Sequence, residues 1–451
     1  MFSELKITNY ELRIDAEYYS KTNVELNDRL KTIGFKIINE FAFVTDGIHT
    51  AIPYDEDSNV KLVSATSPRE NYFDFSRGAF ISESAHFENP RTALKENDII
   101  LSTVGTIGNC AVVTPSILPA NSDRHVGIIR INDIFIPNYV STFLLSKYGR
   151  FQTLRESTGN VQLNLFIYKI KSLKIADLAL NFQRPIDTKV KEAHAKRELS
   201  QTLYHQAEEL LLETIGLKDF KPSQEGKNIK SFKESFLSTE RLDAEYYQPK
   251  YEKTIEKIKE QSHELLGNLV QIKKSIEPGS DVYDEEGLPF LRVADYNKFG
   301  LSEPNKKLSI SFCKENQKLI EDIQPKKETI LFTKDGSVGN AYMLREDANF
   351  ITSGAVLHLT VKNKKRILPE YLTLVLNSQI VQMQAERDAG GSIILHWRVG
   401  EIENVVVPIV DYTIQQQIAD LITESFHLRS ESERLLEDAK RLVESEIAKP
   451  E

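Results

Sequence analysis

The sequence predicts an α+β fold with two tandem, β-rich globular repeats, each followed by a long helix, and the two helices are expected to pair as an antiparallel coiled coil. Three observations predict it. Most of the 451-residue chain occurs twice in the same order. Short β-rich runs broken by Gly, Pro and Asp dominate each copy. Each copy then ends in a run of 30 or more residues almost without Gly or Pro.

The repeat is visible as matched segments at a nearly constant spacing. RIDAEYY at 13–19 returns as RLDAEYY at 241–247, and DIILSTVGTIGN at 98–109 returns as ETILFTKDGSVGN at 328–340. The spacing grows from 228 at the first pair to 232 at Tyr139 and Tyr371 without reversing. Chance matches would scatter, so one ancestral unit is present twice and predicts two similar sites. The alternative is that the duplication serves folding alone.

Each repeat has the same predicted order of elements. The opening motif leads into a short helix, as at Pro249, and short strands such as IILSTV and AVLHLTV follow. A second helix begins at Pro137 in the first repeat and at Pro369 in the second, since proline suits the first helical position. The predicted domain boundaries are the first globular domain, its helix and linker, the second globular domain and its helix, at 1–180, 181–230, 231–411 and 412–451.

The long helices are predicted over 187–216 and 414–447. Both carry a heptad row of leucines next to a row of mostly small residues, which is typical of a coiled-coil seam. The leucine rows are Leu203, Leu210 and Leu217, and Leu421, Leu428, Leu435 and Leu442. The companion rows are Ala193, Ser200, Ala207 and Thr214, and Ile418, Ser425, Ser432 and Ala439. The alternative is that each helix only covers its own domain.

Charge and composition exclude several classes of protein. The formal net charge is −9, and the last 41 residues carry 10 acidic against 5 basic side chains, which argues against a nonspecific nucleic-acid binder. The two cysteines, Cys110 and Cys313, are too few for a disulfide framework or a thiolate metal cluster. We find no membrane span, signal peptide, dinucleotide fingerprint or phosphate loop, so a cytoplasmic protein without cofactor, metal or catalytic residues is expected.

Several of these segments are familiar together. RLDAEYYQPKYE, PFLRVAD, the paired DIILSTVGTIG and ETILFTKDGSVG, and the ending VVVPIVDYTIQQQIADLI resemble the specificity (S) subunit of type I restriction-modification systems, the HsdS family. The resemblance covers residues 1–447, in the right order and twice. In one departure, the first repeat has Phe182-Gln183-Arg184-Pro185 where the second has the better match.

The resemblance implies a function and a set of partners. Two target-recognition domains would each read one half of a bipartite site in double-stranded DNA, and the helices would set the gap. Two separate modification subunits would methylate the DNA, and restriction subunits, if present, would cleave it in host defence. The chain itself would not be an enzyme. Two alternatives stay open: a methyltransferase or nuclease with unrecognised motifs, and a coiled-coil adaptor that never binds DNA.

The candidate DNA-binding residues are basic and amide side chains that can bond base edges or phosphates. In the first repeat they are Arg69, Arg77, Arg91, Asn121, Ser122, Arg124 and His125. In the second they are Lys273, Lys274, Arg292, Lys298, Lys334, His396 and Arg398. The alternative for each is a solvated surface charge. Trp397, between the last two, is more simply a core aromatic. The turns Gly105–Gly108 and Gly336–Gly339 are either close approaches to DNA or plain β-turns.

Overall fold

The computed structural model contains two compact units. It describes residues 16, 18–76, 78–159, 162–223, 226–391 and 393–449. The first unit comprises Met1–Glu198 with Leu428–Glu451, and the second comprises Leu199–His427. The division passes through both long helices, whereas the predicted domain boundaries follow helix ends and stay a prediction. Of the first opening motif, residues 13–15 and 17 lie outside the described residues.

Among the residues that the structure describes, the strands of the first unit form three small sheets. Its strands are β1 Phe35–Ile37, β2 Ala42–Asp46, β3 Val60–Val63, β4 Ala79–Ile81, β5 Ile99–Ser102, β6 Cys110–Val112, β7 Ala120–Ser122, β8 Val126–Ile131 and β9 Lys174–Ala176. The central sheet has the antiparallel order β2-β8-β5-β6, and the second has the order β4-β3-β7 with β3 and β7 parallel. Strands β1 and β9 form a separate pair. All four residues of β5 are buried, as expected for an inner strand.

Helices cover the central sheet of the first unit. They are α1 Lys21–Ile33, α2 Ile38–Phe41, α3 Glu83–Glu88, α4 Pro137–Leu145, α5 Lys147–Glu156, α6 Ile167–Lys171 and α7 Leu180–Thr214. The predicted helix start at Pro137 is confirmed. The core joins Ile99 and Leu101 of β5 to Tyr139 and Phe143 of α4, and Val443 of the C-terminal helix packs into it.

The second unit repeats this plan. Its strands are β10 His263–Leu265, β11 Val270–Lys274, β12 Tyr283–Asp284, β13 Gly287–Leu291, β14 Tyr296–Asn297, β15 Gly300–Leu301, β16 Lys307–Ser309, β17 Ile330–Thr333, β18 Ala341–Met343, β19 Ile351–Thr352, β20 Val356–Val361 and β21 Val406–Pro408. The central order β11-β20-β17-β18 matches that of the first unit. The second sheet, β12-β16-β13-β19, again has one parallel pair, β13 with β19, and gains an edge strand.

The helices of the second unit also follow the first. They are α8 Phe236–Thr239, α9 Pro249–Lys259, α10 Leu266–Leu269, α11 Ile310–Glu315, α12 Gln317–Ile323, α13 Pro369–Asn377, α14 Gln379–Asp388, α15 Val399–Glu403 and α16 Tyr412–Ala448. The predicted helix starts at Pro249 and Pro369 are confirmed. The core combines β17 and β20 with Tyr371 and Leu372 of α13.

A buried glutamine side chain forms hydrogen bonds to the backbone of an edge strand in each unit. In the first unit the Gln152 side chain donates to Lys174 O at 2.9 Å and accepts from Lys174 N at 2.8 Å. In the second, Gln384 makes the same two hydrogen bonds to Val406, at 3.0 and 2.8 Å. A buried amide that satisfies both backbone groups of a strand residue fixes the position of that strand. The repeat therefore extends to individual hydrogen bonds.

The first long helix begins earlier than the sequence predicts, at Leu180 rather than 187, and it runs through Pro185. Pro185 is the sixth residue of the helix. Its missing N–H removes a single hydrogen bond next to the first turn, where the first four donors lack helical partners anyway. The predicted end is confirmed: Gly216 has φ +70° and Leu217 N donates to Leu212 O at 2.8 Å.

The small residues, rather than the leucines, are the most deeply buried row of the two helices. In the first unit Ser432 and Ala439 are 0% exposed, and in the second unit Ala207 is 0% exposed. Leu442 is 39% exposed, so its assignment to the buried seam is wrong. A leucine on a helix that contacts several neighbours can turn outward while the small row allows the backbones to approach.

Each unit joins its globular body to a helix through a stacked arginine. In the first unit the Arg197 guanidinium of α7 lies 3.6 Å from the Tyr72 ring centroid. In the second unit the roles are exchanged, because Arg345 belongs to the body and lies 3.4 Å from the ring of Phe426 on α16. Burial lowers the pKa of both guanidinium groups. These cations therefore serve packing and are not available to a ligand.

Candidate nucleic-acid interface

One end of the central sheet in the first unit gathers several of the predicted residues. Strand β2 ends there at Asp46, β5 ends at Ser102, and β8 begins at Val126. Because neighbouring strands are antiparallel, the loops after β2 and β5 and the loop before β8 all emerge at this end. Arg124 and His125 lie in the last of these loops.

Asp46 holds two basic side chains at this end of the sheet. Arg91 Nη1 donates to Asp46 Oδ1 at 3.0 Å, and His49 Nε2 lies 2.6 Å from Asp46 Oδ2. Partial burial acts to raise the pKa of Asp46, but the hydrogen bonds from His49 and Arg91 lower it below its usual value. The carboxylate therefore stays charged and orients both donors.

A cleft of about 390 Å³ lies next to these groups. Arg124 is exposed on its wall, and His125 is oriented by Asp123, whose Oδ2 lies 3.1 Å from His125 Nδ1. The side chains in the cleft that can contact a base or a phosphate are His49, Arg124, His125, Gln162, Asn164 and Phe166. This mixture of cations, amides and an aromatic ring is typical of a nucleic-acid contact.

A hairpin loop forms the far wall of the cleft. Thr158 and Asn164 exchange backbone hydrogen bonds of 2.9 and 2.8 Å, and Leu165 N donates to Thr103 O at 2.9 Å. Gly159 has φ +131°, and a Cβ there would lie 2.2 Å from Gln162 O. Only glycine fits this turn, so the loop presents Gln162 and Asn164 in a fixed position.

The second unit has the same sheet end and the same hairpin. Gly390 and His396 exchange backbone hydrogen bonds of 3.1 and 2.7 Å, and Trp397 N donates to Lys334 O at 2.7 Å. Gly391 has φ +134°. Trp397 is 1% exposed and its ring lies 5.7 Å from that of Phe332, so it is the core aromatic of the alternative interpretation.

Basic side chains surround this second hairpin. Lys274 is the last residue of β11 and is exposed, and Lys334 directly follows β17. Asp335 is paired with both Lys334 and His396, whose Nδ1 lies 2.9 Å from Asp335 Oδ1. Arg398 is exposed just after the hairpin. The structure thus brings together four of the seven residues predicted in this repeat.

Two candidates of the first unit are buried and cannot contact DNA in this structure. Asn121 is 0% exposed; its amide nitrogen donates to Asn89 O at 3.1 Å and Thr92 Oγ1 at 3.0 Å, and its oxygen bonds His86. Ser122 is 0% exposed as well. Both lie on β7, whose parallel partner β3 places it inside the fold. Asn121 therefore fixes a loop instead of reading a base.

Lysines of the second unit are partly engaged elsewhere. Lys298 Nζ donates to Glu208 Oε1 at 3.0 Å and lies 4.8 Å from the Tyr204 ring centroid, so it joins the body to α7 instead of facing the sheet end. Lys273 Nζ donates to Asp322 O at 2.6 Å. Both ammonium groups have protein partners in this structure, and their predicted DNA contacts stay predictions.

Arg69 and Arg292 each lie near a carboxylate of their own unit. Arg69 pairs with Asp74 at 3.2 Å, beside the edge strand β6. Arg292 directly follows β13, and its Nε lies 3.7 Å from Asp295 Oδ2. Arg77 lies outside the described residues. Their predicted DNA contacts stay predictions.

Sequence reasoning did not select Gln162, Asn164 or Phe166. They lie far along the chain from Arg124, and only folding brings them to the same cleft. The one sequence signal was the pair Gly159 and Gly391, 232 positions apart, which marks the same hairpin in both units.

Comparisons with known proteins match part of the chain to a protein family and to a curated relative. Residues 264–437 match the model of the type I restriction modification DNA specificity domain. The type I restriction enzyme EcoBI specificity subunit of Escherichia coli is 25% identical over 200 residues, which cover 42% of this chain and 40% of the length of that relative.

Two solved structures are also similar to this chain. The type I restriction-modification S subunit from M. genitalium is 13% identical, with a TM-score of 0.43 and coverage of 91% of this chain and 93% of the other. The HsdS subunit from Thermoanaerobacter tengcongensis is 15% identical, with a TM-score of 0.28 and coverage of 92% and 95%.

The described residues show neither a membrane-spanning helix nor a cluster of metal-ligating side chains. Every helix in this part of the chain is too short or too polar to cross a membrane. Across the same residues, no three His, Cys, Asp or Glu side chains come together to hold a metal ion. The match over 264–437 and the EcoBI relative thus bear out the resemblance seen in the sequence to the specificity subunits of type I restriction-modification systems, the HsdS family.

Proposed function

We propose that this chain is the non-catalytic DNA-specificity subunit of a type I restriction-modification complex. The two units act as target-recognition domains, and each reads one half of a bipartite site in double-stranded DNA. The DNA contacts lie at the sheet end and the adjoining hairpin of each unit. With a net charge of −9, affinity has to come from such local basic sites and not from the whole surface.

The observation that carries this proposal is that the two units have the same backbone arrangement at the sheet end and the hairpin, here called the frame. The exposed side chains that this frame presents, here called the tip, differ between the units. The hairpin hydrogen bonds, the left-handed glycine and the buried glutamine tie occur in both. The exposed side chains do not. Arg124 and His125 before β8 correspond to Gly354 and Ala355 before β20. Similar frames with different tips are what two readers of two different half-sites need.

We further propose that α7 and α16 form an antiparallel coiled coil that sets the gap between the half-sites. Contacts inside each unit support it. In the first unit Lys196 Nζ bonds Glu431 Oε2 at 2.9 Å. In the second, Ser425 Oγ donates to Ser200 O at 2.7 Å. Residue numbers rise along one helix as they fall along the other, and small buried residues at the contact allow close packing.

The chain works with partners in this proposal. Two modification subunits methylate the DNA, and restriction subunits, if present, cleave it. The support is the name of the EcoBI relative, which is a specificity subunit of a type I restriction enzyme. The competing functions are a methyltransferase or nuclease and an adaptor that does not bind DNA.

Mapping methylated adenines in cells that carry single variants tests the proposal. Arg124→Ala should alter methylation only through the first half-site, and Arg398→Ala only through the second. Arg366→Ala is the matched control: it is an exposed arginine of the second unit that follows β20, at the opposite end of the same sheet. Its methylated sites should equal those of the wild type.

Other results would contradict the proposal. If either variant changed both half-sites, or if neither changed any, the modular assignment would be wrong. Binding of S-adenosylmethionine to the isolated chain in calorimetry would favour the enzyme. If duplex DNA did not bind in a salt-dependent way together with the modification subunit, the adaptor would be favoured.

A further inference from the structure

Three consecutive aliphatic side chains are exposed at the tip of the second hairpin. Ile393 is 95% exposed, Ile394 55% and Leu395 39%. Single exposed aliphatic residues are common, but a contiguous apolar tip costs solubility and usually marks a contact site. No packing role accounts for the Ile393 side chain, since it contributes almost nothing to the core.

The tip is held rigidly. Besides the backbone hydrogen bonds between Gly390 and His396, Gly336 N donates to Leu395 O at 2.8 Å. A Cβ at Gly391 would lie 2.1 Å from Ile394 O, so the turn accepts only glycine. The buried Trp397 anchors the base of the hairpin. Ile393 is therefore displayed on a fixed support, which reduces the entropy lost when it enters a partner.

Positive charge flanks the apolar tip. Arg398 is exposed directly after the hairpin, and Lys274 is exposed at the end of β11. Asp335 is paired with Lys334 and His396, and Glu401 accepts a hydrogen bond from Arg398 N at 3.1 Å. An apolar point bordered by cations fits a polyanion with an apolar interior, which is duplex DNA with its stacked bases. A protein groove would need a complementary acidic rim.

The first unit carries the same feature independently. Leu163, which corresponds to Leu395, is 44% exposed, and Phe166 beside it is 50% exposed. Val161 corresponds to Ile393 in the sequence and lies outside the described residues. The hairpin shares its cleft with Arg124 and His125. Exposed apolar side chains next to cations thus occur beside the hairpin in both units, although the polar side chains differ.

We propose that Ile393 is a wedge that enters between two stacked base pairs of the half-site read by the second unit, while Arg398 and Lys274 hold the neighbouring phosphates. This inference rests on the proposed function, because it presupposes that the sheet end binds DNA. Apolar wedges unstack a base step and kink the duplex, so they favour steps that unstack easily. The wedge would add specificity at a step that receives no hydrogen bond.

Fluorescence of 2-aminopurine tests the wedge, since this base brightens when it loses its stacking. The full-length chain, together with the modification subunit, is mixed with duplexes that contain the mapped methylated site. 2-Aminopurine is placed in turn at each adenine of the second half-site and its flanks except the methylated adenine, which a methyltransferase flips out of the stack. Ile393→Ser is compared with Ile229→Ser, an isoleucine of the same unit that is 94% exposed. Neither change should disturb folding, because neither side chain is buried.

The wild type and Ile229→Ser should brighten one position of the half-site. Ile393→Ser should abolish that signal and weaken binding roughly tenfold, because serine cannot replace the apolar surface that isoleucine buries between the base pairs. If Ile393→Ser binds as tightly as the wild type and no position brightens with either, the wedge is wrong while the specificity function stands. If Ile393→Ser instead loses only the modification subunit, the tip is a protein contact and the wedge is equally wrong. If the wild type binds no duplex specifically, the proposed function fails with it.

Discussion

Two buried serines on α16 should respond in opposite directions to the same substitution. Ser432, in the first unit, is 0% exposed and its Oγ has no hydrogen-bond partner within the described part of the chain. Ser425, in the second unit, is 3% exposed; its Oγ donates to Ser200 O at 2.7 Å and lies 3.2 Å from Ser200 Oγ. Both belong to the row of small residues, so size and helix position are matched.

The magnitudes follow from these contacts. Replacing serine by alanine inside a helix gains about 0.5 kcal/mol in either place. Ser432→Ala also removes an unsatisfied buried hydroxyl, which costs about 1–3 kcal/mol, so the variant should gain 1.5 kcal/mol or more. Ser425→Ala loses two hydrogen bonds of about 0.5–1.5 kcal/mol each, so it should lose about 0.5–2.5 kcal/mol net.

Differential scanning calorimetry of the full-length chain measures the difference. For units of this size about 1 kcal/mol corresponds to roughly 2–4 °C, so the two midpoints should separate by at least about 4 °C. The Ser432→Ala midpoint should lie above that of the wild type and the Ser425→Ala midpoint below it. Equal shifts, or a loss of stability in Ser432→Ala, would refute the reasoning, because the Ser432 hydroxyl would then have a partner.

Two further predictions concern acid stability and the spacer. Burial, with a contribution from the charge of Lys273, lowers the pKa of His358 to about 4. The unfolded state therefore binds the proton more readily than the folded state. The folded state should lose about 3 kcal/mol of stability in total as the pH falls from about 6.5 towards 4. Unfolding of His358→Gln should depend less on pH over this range, and an equal slope in both proteins would contradict the assignment. Four residues inserted near Leu217 should lengthen the gap between the methylated half-sites by one or two base pairs, since each helical residue adds about 1.5 Å. Both half-site sequences should stay unchanged. If sequencing of the methylated sites finds an unchanged gap with full activity, the helices only carry the partner subunits and do not set the gap.

Much of the fold could be predicted from the sequence because its signals are local. Proline at a helix start, as at Pro137 and Pro369, and glycine in a left-handed turn, as at Gly216, act through backbone geometry within a few residues. The repeat then doubled each signal. The sequence did not predict the helix start at Leu180, because a proline such as Pro185 is by itself a local signal that a helix is interrupted. Whether a helix accommodates that proline depends on how far it lies from the first turn.

The site was only partly predictable because burial depends on strand pairing across the fold. Asn121 and Arg124 stand three residues apart in a polar run, yet one is on an inner strand and the other is exposed. Nothing in that run reveals that β7 pairs in parallel with β3. In the sequence, Lys298 and Lys274 are equivalent as exposed basic residues. In the structure, Glu208 of α7 lies beside Lys298 and pairs with it, whereas Lys274 stays exposed. Conversely, Ile393 has no polar group, so a search for hydrogen-bonding residues passed over it.

Under the proposed function, the separation of frame and tip would let one fold serve many DNA sequences. Substitution of an exposed tip residue such as Arg398 or Ile393 usually changes stability by less than about 0.5 kcal/mol. Loss of the buried Gln384, by contrast, would leave both backbone groups of Val406 unsatisfied. Selection can therefore vary the tips freely while it holds the frame. Because the frame is present twice with separate cores, a substitution in one unit should leave the core of the other intact. Under the proposed function, a bipartite site would then change one half at a time.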